Sequence, residues 1–508
     1  MESGQNSGLS AAVSYQYVST LATVAFGGVF YVFIAKFFST SVVGAIALLL
    51  AISSLISIIF SFSLPISAQH FLSYNLGKGD RIEMYSLIKR FVTMSIILAI
   101  ASAVFTILTA GIFSVLFFHD SSYTLVIRVA SLYIVALIMF GVLHGSALGL
   151  QLFKIDAIIY LSSASISYFI GLILLGVFHN IIYLMTGFIL SYFCGTIVYS
   201  VVIFLTKSAI RGRSKKTLLP LIVSYSWPLI LSALIGYGSQ YLDRFVVAYF
   251  LDISTLGIYS FVLLVSSSIG LIAQPIANIL LPKLSEYFSL TNNDMIRRSV
   301  NMSSAILMLV YSPLAMGGAS ISPILLTVLA KSGYESGSVA LMVLLTVSSF
   351  FILWNIMNTV ISAIRKTKVY VVSTTVTLLS NVLLSLLLIP KVGMVGAAIA
   401  NSSVMVVSFL VLYYYAIVKE ARNFDWTTVI KIWLASVLVF VVVLMERISL
   451  GNHLDMLPLY IVTGAFVYLA GLNLTRSLTK LGRDEFIELM PKKFGFRRVA
   501  EKVLFRAF

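Results

Sequence analysis

Cysteine is nearly missing: Cys194 is the single one in 508 residues, so no internal disulfide can form. Charge is scarce too. Asp, Glu, Lys and Arg together make up 10% of the chain, against about 25% in soluble globular proteins. That excludes an ordinary soluble domain. Disorder is excluded as well, because it requires low hydrophobicity and 60% of this chain is apolar. The histidines (His70, His119, His144, His179 and His453) are scattered and form no metal-ligand spacing. No P-loop, HExxH or GxSxG motif occurs, which removes the short signatures of nucleotide-binding, zinc-protease and serine-hydrolase chemistry. The opening residues MESGQNSGLS hold no Lys or Arg. They lack the basic start of a signal peptide, and the first apolar segment is expected to be retained.

What the chain does have is long apolar runs. A bilayer span needs about 20 mostly apolar residues, and fourteen such runs can be read, near 11–35, 42–64, 91–117, 125–149, 157–178, 181–206, 220–250, 255–281, 299–328, 339–364, 369–389, 393–418, 428–445 and 456–474. Runs this dense in Leu, Ile, Val and Phe do not alternate as barrel strands do, so the spans are helices. The expected fold class is an all-α polytopic membrane protein. Connections are short; the longest internal one expected runs from Pro65 to Arg90. No loop is large enough for a soluble catalytic domain, which argues against a membrane glycosyltransferase or polymerase.

The basic residues are unevenly placed. Of 34 Lys and Arg, 28 fall in the loops after even-numbered spans and in the C-terminal tail, counting Lys431, at the inner edge of the thirteenth run, with the loop before it, and four fall after odd-numbered spans. Arg128 and Arg244 lie within spans. Under the positive-inside rule this bias puts the even loops and both termini in the cytoplasm of a multi-pass plasma-membrane protein. The net charge of +16 is then topology, and no nucleic-acid partner is expected. The tail, 475–508, mixes Lys and Arg with Phe, Ile, Met and Leu. It reads either as an amphipathic segment on the anionic inner leaflet or as a solvated basic tail.

Shifting the chain by 213 residues aligns 34–80 with 247–293 without a gap, with 11 identities in 47 positions, including Ser41/Ser254 and Gly44/Gly257. The shift equals six spans, so orientation is kept. Two parallel six-helix repeats are expected, forming two lobes around a central cavity. The expected organisation is an N-terminal lobe over 1–206, a basic linker over 207–219, a C-terminal lobe over 220–418, two extra C-terminal helices over 428–474, and the tail.

Three stretches carry a family resemblance. Asp243, then Gly257-Ile258-Tyr259-Ser260, then Leu281-Pro282-Lys283-Leu284-Ser285 resemble the seventh and eighth helices of polysaccharide flippases of the O-antigen type. These belong to the multidrug/oligosaccharidyl-lipid/polysaccharide (MOP) exporter superfamily. Ile389 to Asn401, IPKVGMVGAAIAN, is similar to the segment before their twelfth helix, and Ala35 to Leu48 to their helix 1–2 connection. The resemblance implies a flippase, not an enzyme, moving a polyprenyl-phosphate- or pyrophosphate-linked oligosaccharide to the outer leaflet by alternating access of the two lobes. It implies lipid-linked oligosaccharide and membrane lipids as partners, with glycan-assembly enzymes as candidates. Peptidoglycan-precursor flippases are relatives with several arginines in the first, second and eighth helices. Span 1 and residues 259–262 here hold no Arg, which speaks against a lipid II substrate.

Candidate site residues follow from charge and polarity inside spans. Tyr237, Gln240, Tyr241 and Arg244 are spaced i, i+3, i+4, i+7 and share one face of span 7. Arg244 and Gln240 are candidates to contact a phosphate or acidic sugar, since a guanidinium fork bonds two oxygens. The alternative is that Asp243 and Arg244 snorkel to the outer interface. Asp243, about 100° round from Arg244, is the candidate for H⁺ or Na⁺ coupling; no cofactor is expected. Arg128 reads as a substrate contact or an interfacial anchor, and His144 as a hydrogen-bonded packing residue. Neutral polar stripes carry Gln16, Thr20 and Thr23; Tyr259, Ser266, Gln274 and Asn278; Asn355, Asn358 and Ser362; and Thr374, Thr377, Asn381 and Ser385. Such groups bind sugars or hydrogen-bond helices together. The rival function is a cation-coupled multidrug exporter of the same superfamily.

Overall fold

The structure, a computed structural model, describes residues 2–205, 219–420 and 422–475. The tail, and nearly all of the basic linker, lie outside the described residues. Every regular element among those described is helical. Among the described residues, fourteen helical segments are long and apolar enough to cross a membrane. The chain divides into two compact units, 1–257 and 258–508.

The first unit contains α1 (Glu2–Phe37), α2 (Thr40–Ser61), α3 (Leu64–Gly77), α4 (Arg81–Phe113), α5 (Thr124–Gly149), α6 (Phe153–Phe178), α7 (Ile181–Leu205) and α8 (Leu219–Phe250). It ends in the second turn of α9 (Ile253–Gly270). The second unit takes the rest of α9, then α10 (Ala273–Ser289), α11 (Asn293–Ser320), α12 (Ser322–Leu329), α13 (Ser338–Phe351), α14 (Trp354–Ala363), α15 (Thr367–Val392), α16 (Met394–Tyr413), α17 (Trp426–Leu450) and α18 (Leu457–Leu474).

The repeat appears in the helix starts. Ser39 and Asp252 are the residues before α2 and α9, 213 apart, and each side chain accepts a bond from the backbone N–H three residues on. Asp80 and Asn292, 212 apart, cap α4 and α11 in the same way. Short polar side chains at these positions satisfy amides that a helix start leaves unpaired. The slip from 213 to 212 is one residue lost between the two capped starts.

Two expectations are corrected here. The stretch from Pro65 to Arg90 is not an open connection: α3 and the start of α4 fill it, joined by a short turn at Gly79. The chain turns at Phe62 and Ser63, both with positive φ, and Pro65 then occupies the first turn of α3, where its missing N–H costs nothing. The eighth and tenth spans are each broken. The chain turns at Leu271–Ile272 between α9 and α10, and α13 and α14 are likewise separate helices.

Packing inside each unit relies on small residues, as expected where lipid removes the hydrophobic drive between helices. In the first unit, a Cβ on Gly145 would fall 2.1 Å from the carbonyl oxygen of Pro65, and one on Gly187 2.7 Å from the backbone N of Gly171. Phe71, Phe91, Phe140 and Tyr199 fill the core between α3, α4, α5 and α7. In the second unit, Met308, Leu353, Ile356 and Ile432 pack in one cluster. Tyr468 donates to the Leu309 carbonyl at 2.8 Å and Trp433 to Ser349 at 3.0 Å, so both C-terminal helices are tied to α11 or α13.

Candidate functional site

The α8 stripe forms as its spacing predicts. The rings of Tyr237 and Tyr241 stack with centroids 4.6 Å apart, and the Arg244 guanidinium carbon stands 4.5 Å over the Tyr241 ring. That is a cation–π arrangement. Nε of Arg244 is buried without a hydrogen-bond partner. Tyr31 of α1 lies within electrostatic range of both Arg244 and Tyr241. Gln240 is exposed, and the Tyr237 hydroxyl donates to the Ala51 carbonyl at 2.6 Å, fastening α8 to α2. Asp243 is fully buried, on a different face from the half-buried Arg244, and its Oδ1 accepts the Arg244 backbone N–H at 2.9 Å. Arg128 is exposed in the second turn of α5, away from this group in sequence.

The polar residues of the second unit are mostly buried and engaged. Tyr259 is fully buried and donates to the Ala397 carbonyl at 3.2 Å. Asn381 is fully buried and accepts from Ser385 at 2.9 Å. Asn355 is buried, Asn358 is half-buried, and Gln274 is exposed just past the turn that ends α9. The Asn358 carbonyl accepts from both Ser362 and Tyr370. Outside the spans, Lys366 hydrogen-bonds Glu420, and this bond holds the Glu420 carboxyl below its ordinary range, with Arg422 adding to the effect.

One cluster escaped the sequence reading. Asp156, in the first turn of α6, is fully buried and collects donors from three other helices. Gln16 of α1 donates at 2.9 Å, Tyr199 of α7 at 2.7 Å, and His144 Nδ1 of α5 stands 2.7 Å from Oδ1. Gln16 also bonds the Phe153 carbonyl at 3.1 Å. Asp156 lies one residue before the fifth apolar run, 157–178, where an acid is unremarkable in the sequence. The one signal in the sequence was an acid twelve residues after an in-span histidine. Apart from these groups, an open apolar cavity of about 520 Å³ lies between α3 and α8, where His70 stacks on Tyr225; none of the predicted residues lines it.

The fold is that of the MOP superfamily of membrane transporters. Aligned with the structure of a lipid II flippase MurJ in an inward closed conformation, the chain gives a TM-score of 0.74 at 18% identity, covering 92% of this chain and 100% of that one. An inward-facing multidrug resistance MATE family transporter of the MOP superfamily gives 0.64 at 12%, covering 81% and 99%. The family described as lipid II flippase MurJ matches residues 147–470, well over half of the sequence, and the chain belongs to that family. A probable low-salt glycan biosynthesis flippase, Agl15 of Haloferax volcanii, is 23% identical over 220 residues. That match spans 42% of this chain and about half, 47%, of that relative. The O-antigen-type resemblance read from the sequence is compatible with this placement.

Proposed function

We propose that this protein flips a polyprenyl-(pyro)phosphate-linked oligosaccharide from the cytoplasmic to the outer leaflet of the cell membrane. The observation that carries the proposal is the family match over residues 147–470. The mechanism proposed is alternating access of an N-terminal lobe over 1–206 and a C-terminal lobe over 220–418. Arg244, held over Tyr241 with an unsatisfied Nε, is the proposed contact for the lipid phosphate. Tyr237, Gln240, Gln16, Arg128, Tyr259, Gln274, Asn355, Asn358 and Asn381 are the other proposed contacts, of which the exposed Gln240, Arg128 and Gln274 are the most accessible. Asp243 is the proposed coupling-ion residue, for H⁺ or Na⁺.

The substrate proposed is a glycan carrier other than lipid II. The support is that α1 holds no Arg and that residues 259–262 read Tyr-Ser-Phe-Val. Both termini are proposed to be cytoplasmic, on the strength of the basic-residue bias.

The test is reconstitution into proteoliposomes with three cargoes: a polyprenyl-linked oligosaccharide, lipid II and a drug-like cation. Flipping is read as accessibility of the sugar to an impermeant hydrolase. The oligosaccharide should move and the cation should not. Cation transport without sugar flipping would replace this reading with the multidrug exporter, and lipid II as the preferred cargo would overturn the substrate assignment.

A further inference from the structure

We propose that the cavity between α3 and α8 is a lipid site, seating one hydrocarbon chain of an anionic phospholipid with its phosphate at Lys78. The cavity is open and holds about 520 Å³, inside the usual range of small-molecule sites, about 300–1,000 Å³. Phe71 of α3 and Leu221, Pro228 and Leu229 of α8 give it an apolar lining. Its walls are fixed. The Ser67 and Ser226 hydroxyls pair at 2.7 Å and join the two helices. The Tyr225 ring stacks on His70 at 4.6 Å and meets Phe71 edge-on at 5.4 Å.

The surface beside the cavity is apolar as well. Ile66 of α3 is 48% exposed, and Leu221 and Trp227 of α8 are 52% and 56% exposed. Exposed apolar patches of this kind mark membrane contact, and Trp is favoured where hydrocarbon meets headgroups. Pro228 lies inside α8 and has no N–H to give to the Ser224 carbonyl. Both residues line the cavity, so the opening sits where the hydrogen-bond ladder of the helix is interrupted.

Charge selects the headgroup. Helix α3 runs toward the basic connection after the second span, and His70, Tyr74 and Lys78 lie on its successive turns. Lys78 is exposed about 12 Å beyond His70 along the helix axis, and its Nζ stands 4.3 Å over the ring of exposed Tyr74. No acid occurs on α3, and none on α8 before Asp243. Asp80 caps α4 and Glu83 is buried; neither pairs with Lys78 among the described residues. Exposed Arg81 and Lys89 on α4 add further positive charge. An apolar cavity leading to a cation without a carboxylate partner complements a hydrocarbon chain ending in a phosphate, as in basic pockets between transmembrane helices that hold anionic headgroups. The phosphate contact proposed for the cargo, Arg244, is 15 residues beyond Leu229 on α8, about 22 Å along the helix. The cavity is thus separate from that contact, and the inference does not depend on which cargo the protein moves.

The test is photolabelling of the full-length protein in detergent by a phosphatidylglycerol with a diazirine on one chain, read by peptide mass spectrometry. Label is expected on 64–77 and 219–229 and should be competed by unlabelled phosphatidylglycerol. Phosphatidylcholine should compete at least about fivefold less well, and Lys78→Gln should weaken labelling of these peptides about fivefold, the worth of one cation at an anionic surface. Lys331→Gln, exposed in a connection after an odd-numbered span, should change nothing. Ser224→Phe, which fills the cavity, should remove the label from both peptides. Label spread evenly over other helices overturns the proposal, as does equal competition by phosphatidylcholine or an unchanged Lys78→Gln. A polyprenyl phosphate that competes better than phosphatidylglycerol also overturns it, by giving the cavity to the cargo. The competition on the wild-type protein decides by itself, so a variant that fails to fold does not remove the test.

Discussion

Arg244 stands out at the scale of single residues because its charge has an aromatic platform but, among the described residues, no ion pair. An ionisable group inside a span is costly, roughly 2.5–3.5 kcal/mol at mid-bilayer on insertion scales, and usually faces protein or water. Here the Tyr241 ring offsets part of that cost, and the unsatisfied Nε leaves a donor for a phosphate oxygen. Arg244→Ala should lower the initial flipping rate at least about tenfold, the scale of one lost charge-assisted bond. Arg244→Lys should recover only part of it, because a point charge cannot fork to two oxygens. Tyr241→Phe keeps the ring and should cost little. Rates in proteoliposomes decide it, and equal rates for Arg244→Ala and wild type would remove Arg244 from the site. The stripe was legible in the sequence because i, i+3, i+4, i+7 spacing on a helix fixes a face. The burial of Tyr237 against Ala51 was not, since it depends on which helix lies opposite. Asp156 was not legible either, because its role comes from donors on three other helices.

At the scale of elements, the repeat explains a contact at the starts of α2 and α9. A Cβ on Gly44 would fall 1.9 Å from the Ile253 carbonyl oxygen, and one on Gly257 1.9 Å from that of Thr40. Positions 44 and 257, and 40 and 253, are both 213 apart, so the contact is the same from either side. Thr40 and Ser254 complete it with a hydroxyl pair at 2.5 Å. Neither glycine is needed for backbone freedom; each is needed because backbone meets backbone. Gly44→Ala and Gly257→Ala should therefore each destabilise the protein by about 1–3 kcal/mol, the usual cost of overpacking. The double variant should cost less than the sum, since the first substitution already parts the helices. Gly28→Ala, where a Cβ meets nothing within 4 Å, is the neutral control. Thermal unfolding in detergent measures all four, and strict additivity would show that the two glycines do not share one contact. Fourteen spans and the repeat were readable from apolar runs and residue identities. The breaks after α9 and α13 were not, because apolar composition continues across them and only backbone geometry marks the turn.

For the whole molecule, the +16 charge is a statement about sidedness. Lys and Arg near span ends resist transfer across the membrane, so an uneven distribution selects one orientation of the entire chain. With 28 of 34 basic residues on one set of segments, the two orientations are far from equivalent. Two exposed positions can report which one is adopted. Gly77, at the end of α3, lies in the basic connection after the second span, and a side chain there meets nothing within 4 Å. Asn452 is exposed in the turn between α17 and α18, after the thirteenth span. The single native thiol, Cys194, is exposed on α7 and is first replaced by serine to give a silent background. In that background Asn452→Cys should react with an impermeant maleimide on intact cells. Gly77→Cys should react only after the membrane is permeabilised. The reverse pattern would invert the chain and with it the proposed direction of flipping; labelling of both from outside would mean that an even number of spans, rather than the odd number counted from the second to the thirteenth, separates the two positions.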